Sequence, residues 1–330
     1  MINAANTGDG DQREVKLKRS ILNAALLCAL LGTALPLKAE AKDLTSVGVS
    51  VGSLGNPYFV QIVKGTEAAA KQLSGGKANV TAVSADYDLN KQFTQIDNFI
   101  ASGVDMIVLN AVDPVAIEPA VKRAQAAGIV VMAVDAAAKG ADGTVMTDNV
   151  MAGEEACQYI VDKLKGKGNV IIQNSNPVSA VIDRVKGCHN VLDKEKGIKI
   201  LSDNQNGLGS REGGLQVMTG LLTAFDNIQA VFTINDPQAI GSDLAARQVG
   251  RHDFFITSVD GAPDIVAALK EKGNLIEASA SQDPYTMAEQ AVEIGKQIMD
   301  GKKPEHPVVL LPPKLITRDN VDSYVGWTRE

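Results

Sequence analysis

The sequence predicts an α/β protein with two lobes, each built on a parallel sheet. Short runs rich in valine and isoleucine recur along the chain, and stretches with apolar residues at intervals of three and four lie between them. Runs of the first kind are typical of strands buried on both faces, and stretches of the second kind are typical of amphipathic helices. Their regular alternation predicts parallel sheets covered by helices.

Strands and helices are predicted in turn. The strands are expected at residues 46–51, 78–84, 106–109, 130–134, 170–173, 198–201, 230–234, 254–259 and 275–280. Helices are expected between them, for example at 59–73 and 115–127. The helix boundaries carry the usual residues, with proline opening a helix and glycine following one: Asn56-Pro57, Asp113-Pro114, Gly103, Gly128 and Gly273. The units fall into two sets that separate at about 147/148, with no proline-, glycine- or serine-rich linker between them.

Composition excludes several classes of protein. The chain has 330 residues, of which 45% are hydrophobic, and a net charge of -7, which is typical of a globular protein and not of a disordered chain. The acidic balance argues against nucleic acid and anionic membranes as partners. The histidines, at 189, 252 and 306, do not form a zinc motif with the cysteines. We therefore expect no metal and no cofactor.

Residues 1–41 have the pattern of a signal peptide. Lys16, Lys18 and Arg19 precede an apolar run at 21–37, and Ala39-Glu40-Ala41 follows it as a cleavage signal. A membrane anchor is the competing interpretation, since the run approaches the length that crosses a bilayer. The sequence favours cleavage near Ala41 and a mature protein in the periplasm. In such a protein Cys157 and Cys188 could form a disulfide or remain buried thiols.

Polar side chains follow the predicted strands. Because ligands of open α/β sheets bind at the carboxyl ends of the strands, these residues are candidates for a binding site. The set contains amides, hydroxyls, isolated carboxylates and two aromatic rings, which suits a ligand rich in hydroxyl groups. Its members are Ser53, Asn56, Tyr58, Phe59, Asn110, Asp135, Asn235, Asp236 and Asp260.

The chain resembles a known family in the same segments. Residues 49–59, including Gly55-Asn56-Pro57-Tyr58-Phe59, and residues 107–110, 134–135, 147–149, 229–236, 258–261 and 281–283 are similar to the ribose-binding-protein group of periplasmic sugar-binding proteins. These proteins are the solute receptors of ABC importers. The resemblance runs in order from residue 44 to about 311.

The resemblance implies the type I periplasmic binding protein fold, in which a three-segment hinge joins two Rossmann-like lobes. The crossings are expected near 147–148, 281–282 and 308–312. The implied first lobe comprises residues 42–147 and 283–308, and the second comprises 148–282 and 309–330. An ABC permease is the implied partner, and a chemoreceptor is a further one.

The resemblance also implies which residues bind the sugar, with Asp135 the foremost. They are Ser53, Asn56, Tyr58, Phe59, Asn110, Asp135, Asn235, Asp260 and Gln282. The chain departs from the ribose receptors at other positions. Ala136 and Ile182 stand where arginines are expected, and Gly209 and Val259 replace aromatic residues, while the direction of Arg184 is left open. The loss of cationic donors and aromatic walls favours another pentose, a hexose or a polyol over ribose.

Other interpretations use the same residues. Asp135 and Asp260 could be the carboxylate pair of a glycosidase, and the chain could be a receptor for a small furanose signal. Asn56 could only cap a helix, and Asp260-Gly261 could only turn the chain. The order of the whole set favours a binding protein without catalytic residues, which captures a neutral sugar or polyol between two closing lobes.

Overall fold

A computed structural model describes residues 42–324, 326 and 327. The expected signal peptide at 1–41 lies outside the described residues. The strands form two sheets of six. The first sheet contains β1 (Ser46–Val51), β2 (Asn79–Ser84), β3 (Met106–Leu109), β4 (Val130–Val134), β5 (Gly143–Thr147) and β11 (Val308–Leu311) in the order β11-β5-β4-β3-β1-β2, and all its strands are parallel.

The second sheet repeats this arrangement. It contains β6 (Lys167–Asn174), β7 (Gly197–Asn206), β8 (Ala230–Thr233), β9 (Phe255–Asp260), β10 (Ile276–Ser281) and β12 (Lys314–Thr317) in the order β12-β10-β9-β8-β6-β7. Its strands are parallel except β12, which runs antiparallel to β10. The two-lobe α/β fold expected from the sequence is confirmed. The runs at 143–147, 308–311 and 314–317 were not among the nine predicted strands.

Nine α-helices connect the strands of the described chain. They are α1 (Pro57–Leu73), α2 (Leu89–Ser102), α3 (Glu118–Ala126), α4 (Asn149–Leu164), α5 (Ser179–Leu192), α6 (Arg211–Ala224), α7 (Asp236–Gln248), α8 (Pro263–Lys270) and α9 (Pro284–Met299). None of the described helices is both long enough and apolar enough to cross a membrane.

Strand β1 shows how both faces of a sheet are covered. Val47, Val49 and Val51 are buried in one apolar cluster with residues of α1 and α9. On the other face, a Cβ added to Gly48 would lie 2.7 Å from the Phe99 ring of α2. A glycine is therefore required for the helix to pack this closely on the sheet.

The chain crosses between the sheets after Thr147, between Ser281 and Pro284, and at 312–313. The last crossing corrects the lobe boundary expected at 308/309. Residues 309–311 belong to β11, which pairs with β5 of the first sheet, so the second lobe resumes only with β12. The expected boundary was too early because the apolar run at 308–311 was not recognised as a strand.

Cys157 and Cys188 form a disulfide in the second lobe. Cys157 of α4 and Cys188 of α5 are bonded, with their Cα atoms 5.2 Å apart. The two helices approach closely because glycines lie at their contact. A Cβ added to Gly187 would lie 2.0 Å from the carbonyl oxygen of Val150. The disulfide therefore links two helices that already pack tightly.

Candidate functional site

Two adjoining cavities lie where the strand ends of the lobes meet. The inner cavity measures about 60 Å³ and is walled by the polar strand ends of both lobes. The outer chamber measures about 450 Å³ and adjoins the inner cavity. The two share the walls made by Asn56, Tyr58, Tyr87, Gly209 and Asp260.

Asp135 follows β4 directly and turns its carboxylate into the inner cavity. Its backbone has φ of 64°, and the Ala136 N–H donates to the Val134 carbonyl at 2.7 Å, which makes a tight γ-turn. Residues held in such sparsely populated backbone regions are found mainly at functional sites. Asn110 Nδ2, at the end of β3, donates to Asp135 Oδ2 at 2.8 Å.

Tyr58 links the first lobe to the hinge. Its hydroxyl lies 2.7 Å from Asp135 Oδ1 and 3.1 Å from Gln282 Oε1, which follows β10. Burial and the neighbouring Asp135 raise the pKa of Tyr58 well above its usual value, so the phenol is protonated and can donate. Gln282 Nε2 in turn donates to Asp260 Oδ1 at 2.7 Å. A chain of hydrogen-bonding contacts thus connects Asp135 to Asp260.

Arg184 supplies the cation of the inner cavity from the second lobe. Its Nε donates to Asn149 Oδ1 at 2.8 Å, its Nη1 donates to the Ile234 carbonyl at 2.8 Å, and Nη1 also lies 3.4 Å from Asp260 Oδ1. The side chains of Arg184 and Asp260 are 5% and 7% exposed. The expectation that the pocket lacks cationic donors is therefore wrong. The arginine lies two residues beyond Ile182, which is exposed.

Burial raises the pKa of three carboxyl groups at the cavities. It raises the pKa of Asp135 and raises that of Asp260 to about 6, although the positive charge of Arg184 opposes both shifts. Burial and the charge of Asp260 raise the pKa of Asp236 well above its usual range. Asp236 accepts bonds from the Ser258 and Ser279 hydroxyls and from the Ala262 N–H, so it is bound within its own lobe.

The structure brings eight of the nine expected site residues together around the inner cavity: Asn56, Tyr58, Phe59, Asn110, Asp135, Asn235, Asp260 and Gln282. Ser53 lines only the outer chamber. Asn56 and Asn235 also cap α1 and α7, accepting bonds from the N–H groups of Tyr58 and Gln238. These two asparagines therefore cap helices and line the cavity at the same time.

Arg184, Tyr87 and Trp327 are among the cavity residues that were missing from the expected set. The sequence alone left open where the side chain of Arg184 points. Its spacing from Ala180 places both residues on one face of α5, and Ala180 lines the inner cavity. Tyr87 follows β2 and lines both cavities. Trp327 packs edge-on against Tyr58 at 5.9 Å and donates to the Asp260 carbonyl at 2.8 Å. Trp327 belongs to no motif, so no local signal identifies it.

Comparisons with known proteins agree with this architecture. Residues 47–303 match the model of the periplasmic binding protein domain. The ribose import binding protein RbsB of Bacillus subtilis is 34% identical over 287 residues, covering 86% of this chain and 90% of that one. A xylitol-binding protein of Mycolicibacterium smegmatis is 30% identical over 290 residues, covering 86% and 80%.

A solved structure shows the same fold. An ABC transporter solute-binding protein of Mycobacterium smegmatis, determined with bound glycerol, superposes with a TM-score of 0.79 at 26% identity and covers 87% of this chain and 98% of that one. Together with the domain match over most of the sequence, these similarities show that the chain belongs to the periplasmic binding protein family.

Proposed function

We propose that this protein is the extracytoplasmic receptor of an ABC importer and captures a neutral sugar or polyol between its two lobes. One observation carries the proposal. Buried hydrogen-bonding groups of the first lobe, the hinge and the second lobe, represented by Asp135, Gln282 and Asp260, converge on a single cavity. A ligand bound there contacts both lobes at once, and such differential contact is what drives closure.

The chemistry of the cavity suits hydroxyl groups. Ionised carboxylates accept strong, charge-assisted hydrogen bonds, and Asp135 and Asp260 offer such acceptors from opposite lobes. Arg184 and Asn110 supply donors. A polyhydroxylated ligand can both donate and accept, so it can satisfy this mixed set without carrying a charge of its own.

The names of similar proteins support the same class of ligand. The curated relatives include binding proteins for ribose and for xylitol. The similar structures include binding proteins for galactofuranose and for myo-inositol, and a solute-binding protein with bound glycerol. These ligands differ in size and ring form but share a dense set of hydroxyl groups. They support a sugar or polyol ligand for this chain without selecting one.

Binding without catalysis is part of the proposal. The family consists of substrate-binding proteins, and the geometry argues against the glycosidase interpretation of Asp135 and Asp260. Asp135 accepts a hydrogen bond from Tyr58, and Asp260 accepts one from Gln282. Both carboxylates are therefore arranged as hydrogen-bond acceptors, whereas a glycosidase pair acts as an acid and a nucleophile or base.

Export and partners follow from the same proposal. Members of this family act outside the cytoplasm, and the Cys157–Cys188 disulfide is of the kind that persists in an oxidising compartment. We place the protein in the periplasm, with cleavage near Ala41, and assign an ABC permease as its partner. A contact with a chemoreceptor is not part of this proposal.

Thermal unfolding with a panel of neutral pentoses, hexoses and polyols tests the binding function. A ligand at a hundred times its dissociation constant adds about 2.7 kcal/mol to the free energy of unfolding, so a binder raises the Tm clearly. Charged amino acids serve as the control panel. Stabilisation by an amino acid with no response to any sugar or polyol would overturn the proposal.

N-terminal sequencing of the protein from a periplasmic extract tests the location. A chain that begins at or near Lys42 is expected, because Ala39-Glu40-Ala41 precedes it. Recovery of intact Met1 in the membrane fraction would contradict export by cleavage.

A further inference from the structure

The hydroxyl of Tyr58 lies between Asp135 and Gln282 in the wall of the inner cavity. It lies 2.7 Å from Asp135 Oδ1 and 3.1 Å from Gln282 Oε1. Both neighbours are oxygen acceptors, and a phenol carries one hydrogen, so the hydroxyl can donate to only one of them at a time. Asp135 takes the shorter bond. Gln282 Oε1 therefore retains acceptor capacity for a ligand hydroxyl.

The ring of Tyr58 is fixed in this place. Its side chain is buried, and the rings of Phe59 and Trp327 pack edge-on against it at centroid distances of 5.5 and 5.9 Å. The residue lies in the first turn of α1, where Asn56 accepts a bond from its N–H. Swinging the ring out would break these contacts, so the hydroxyl is a permanent part of the cavity wall.

The space that remains is small. The inner cavity measures about 60 Å³, whereas ordinary small-molecule pockets measure roughly 300 to 1,000 Å³. Since one water needs about 15 Å³ of such a cavity, the space corresponds to roughly four waters. The phenol oxygen lies between Asp135 and Gln282 and takes up space that a pentose or hexose ring would need there. A short, open carbon chain needs less of this space.

The outer chamber also has charged walls, but three of its charged groups already bind one another or their own lobe. Arg211 pairs with Asp264 at 2.5 Å on the exposed surface, and Asp236 is bound by Ser258, Ser279 and Ala262. The chamber shares walls with the inner cavity.

We propose that the Tyr58 hydroxyl sets the length of the ligand and that the inner cavity takes an acyclic polyol of three or four carbons in preference to a sugar ring. The inference rests on the proposed function and narrows it. The ligand's hydroxyls donate to Asp135, Asp260 and Gln282 Oε1, while Arg184 donates to a ligand oxygen. Tyr58 acts as the residue that excludes longer and cyclic ligands.

Calorimetric titration with a series of neutral probes tests the inference. The wild-type protein, purified without glycerol, is titrated with glycerol, erythritol, xylitol, ribose and glucose. Glycerol or erythritol is expected to bind at least about tenfold more tightly than ribose or glucose, since a polar collision in a closed pocket costs at least as much as one methylene group. Fluorescence of Trp327, the single tryptophan of the chain, gives an independent readout beside Tyr58.

Tyr58→Phe tests the role of the hydroxyl. Its loss is expected to weaken erythritol binding and to shift the preference towards ribose by about tenfold or more. Tyr159→Phe is the matched control, because Tyr159 also donates its hydroxyl to a carboxylate, that of Glu277, but lines neither cavity. This control is expected to leave the preference unchanged.

The outcomes separate the inference from the proposed function. Tighter binding of ribose or glucose than of glycerol and erythritol by the wild-type protein would overturn the inference and leave the sugar receptor intact. An equal change of preference in Tyr58→Phe and Tyr159→Phe would also overturn it. Failure of every sugar and polyol to bind would overturn the proposed function itself. If Tyr58→Phe does not fold, the wild-type series alone decides.

Discussion

The guanidinium of Arg184 lies 3.4 Å from the carboxylate of Asp260, and both side chains are buried in the second lobe. Arg184 also donates hydrogen bonds of 2.8 Å to Asn149 Oδ1 and to the Ile234 carbonyl. One side chain therefore connects the start of α4, the end of β8 and the end of β9. It is therefore both a structural cation and a donor at the cavity.

Replacing Arg184 with methionine is expected to lower the free energy of unfolding by about 3 to 5 kcal/mol. Removing one partner leaves Asp260 as a buried charge without its counter-ion, and such changes are strongly destabilising. Urea denaturation measures the change. Arg211→Met is the control, because the exposed Arg211–Asp264 pair contributes only about 0 to 1 kcal/mol. Equal stability of the two variants would contradict the role assigned to Arg184.

Arg184 also shows what the sequence could predict and where prediction failed. The strand ends were recognisable because a buried valine-rich run followed by a polar residue is a local pattern, and Asp135 and Asp260 lie where it indicates. The resemblance to the ribose receptors placed the expected arginine at the position of Ile182, which is exposed. Helical periodicity would have selected Arg184, which shares a face with Ala180.

The remaining features depend on contacts far apart in the chain. Trp327 bonds to Asp260 across 67 positions, and nothing in the sequence around it indicates that contact. The strand at 308–311 was missed because it is short and half of it is exposed, so it lacks the continuous apolar character of the central strands. Edge strands of this kind are defined by their pairing partner, here β5, and not by their own residues.

The stability of the unliganded protein is expected to fall as pH rises from about 4 to about 7. Burial raises the pKa of Asp260 to about 6, whereas an aspartate in an unfolded chain titrates near about 3.9. The folded protein therefore binds more protons than the unfolded chain within this window, and its stability declines as they are lost. Burial shifts the pKa of Asp135 and Asp236 in the same direction. Thermal unfolding across this pH range measures the effect, and a Tm that rises throughout it would contradict the assignment.

Ligand affinity is expected to change with pH in the opposite direction. Ionised Asp260 accepts charge-assisted bonds from ligand hydroxyls, and these are about twice as strong as neutral ones. Binding should weaken by roughly tenfold between about pH 7.5 and pH 5, by the rule of about 1.4 kcal/mol per factor of ten. Calorimetry in buffers of different ionisation enthalpy should detect proton release on binding near pH 6. Affinity independent of pH would show that Asp260 does not contact the ligand as an anion.

Removal of the disulfide is expected to destabilise the protein without weakening binding. The bridge spans 31 positions, and closing a loop of this size restricts the unfolded chain by roughly 3 to 4 kcal/mol. The variant Cys157→Ala/Cys188→Ala should lose about that free energy of unfolding in urea. Neither cysteine lines a cavity, so its ligand affinity should equal that of the wild type. A reductant should change the unfolding of the wild type but not of the variant, and equal stability of the two proteins would contradict the bridge.

Replacing Asp135 with asparagine is expected to weaken ligand binding while the unliganded Tm stays nearly constant. Asparagine tolerates the positive φ of this γ-turn, and it removes a carboxylate whose pKa is raised by burial, so the folded state loses no favourable charge. The lost charged hydrogen bond costs on the order of 1.5 to 3 kcal/mol, or about 10- to 150-fold in affinity.

Asp105→Asn is the matched control in the same lobe. Burial acts to raise the pKa of Asp105, but hydrogen bonds from Thr45 and Ser46 outweigh it and lower that pKa overall. The control should therefore lose stability and keep its affinity, since Asp105 lines neither cavity. Calorimetry and thermal unfolding of both variants decide the matter: normal binding by Asp135→Asn would remove Asp135 from the site, and unfolding of that variant would make its role structural.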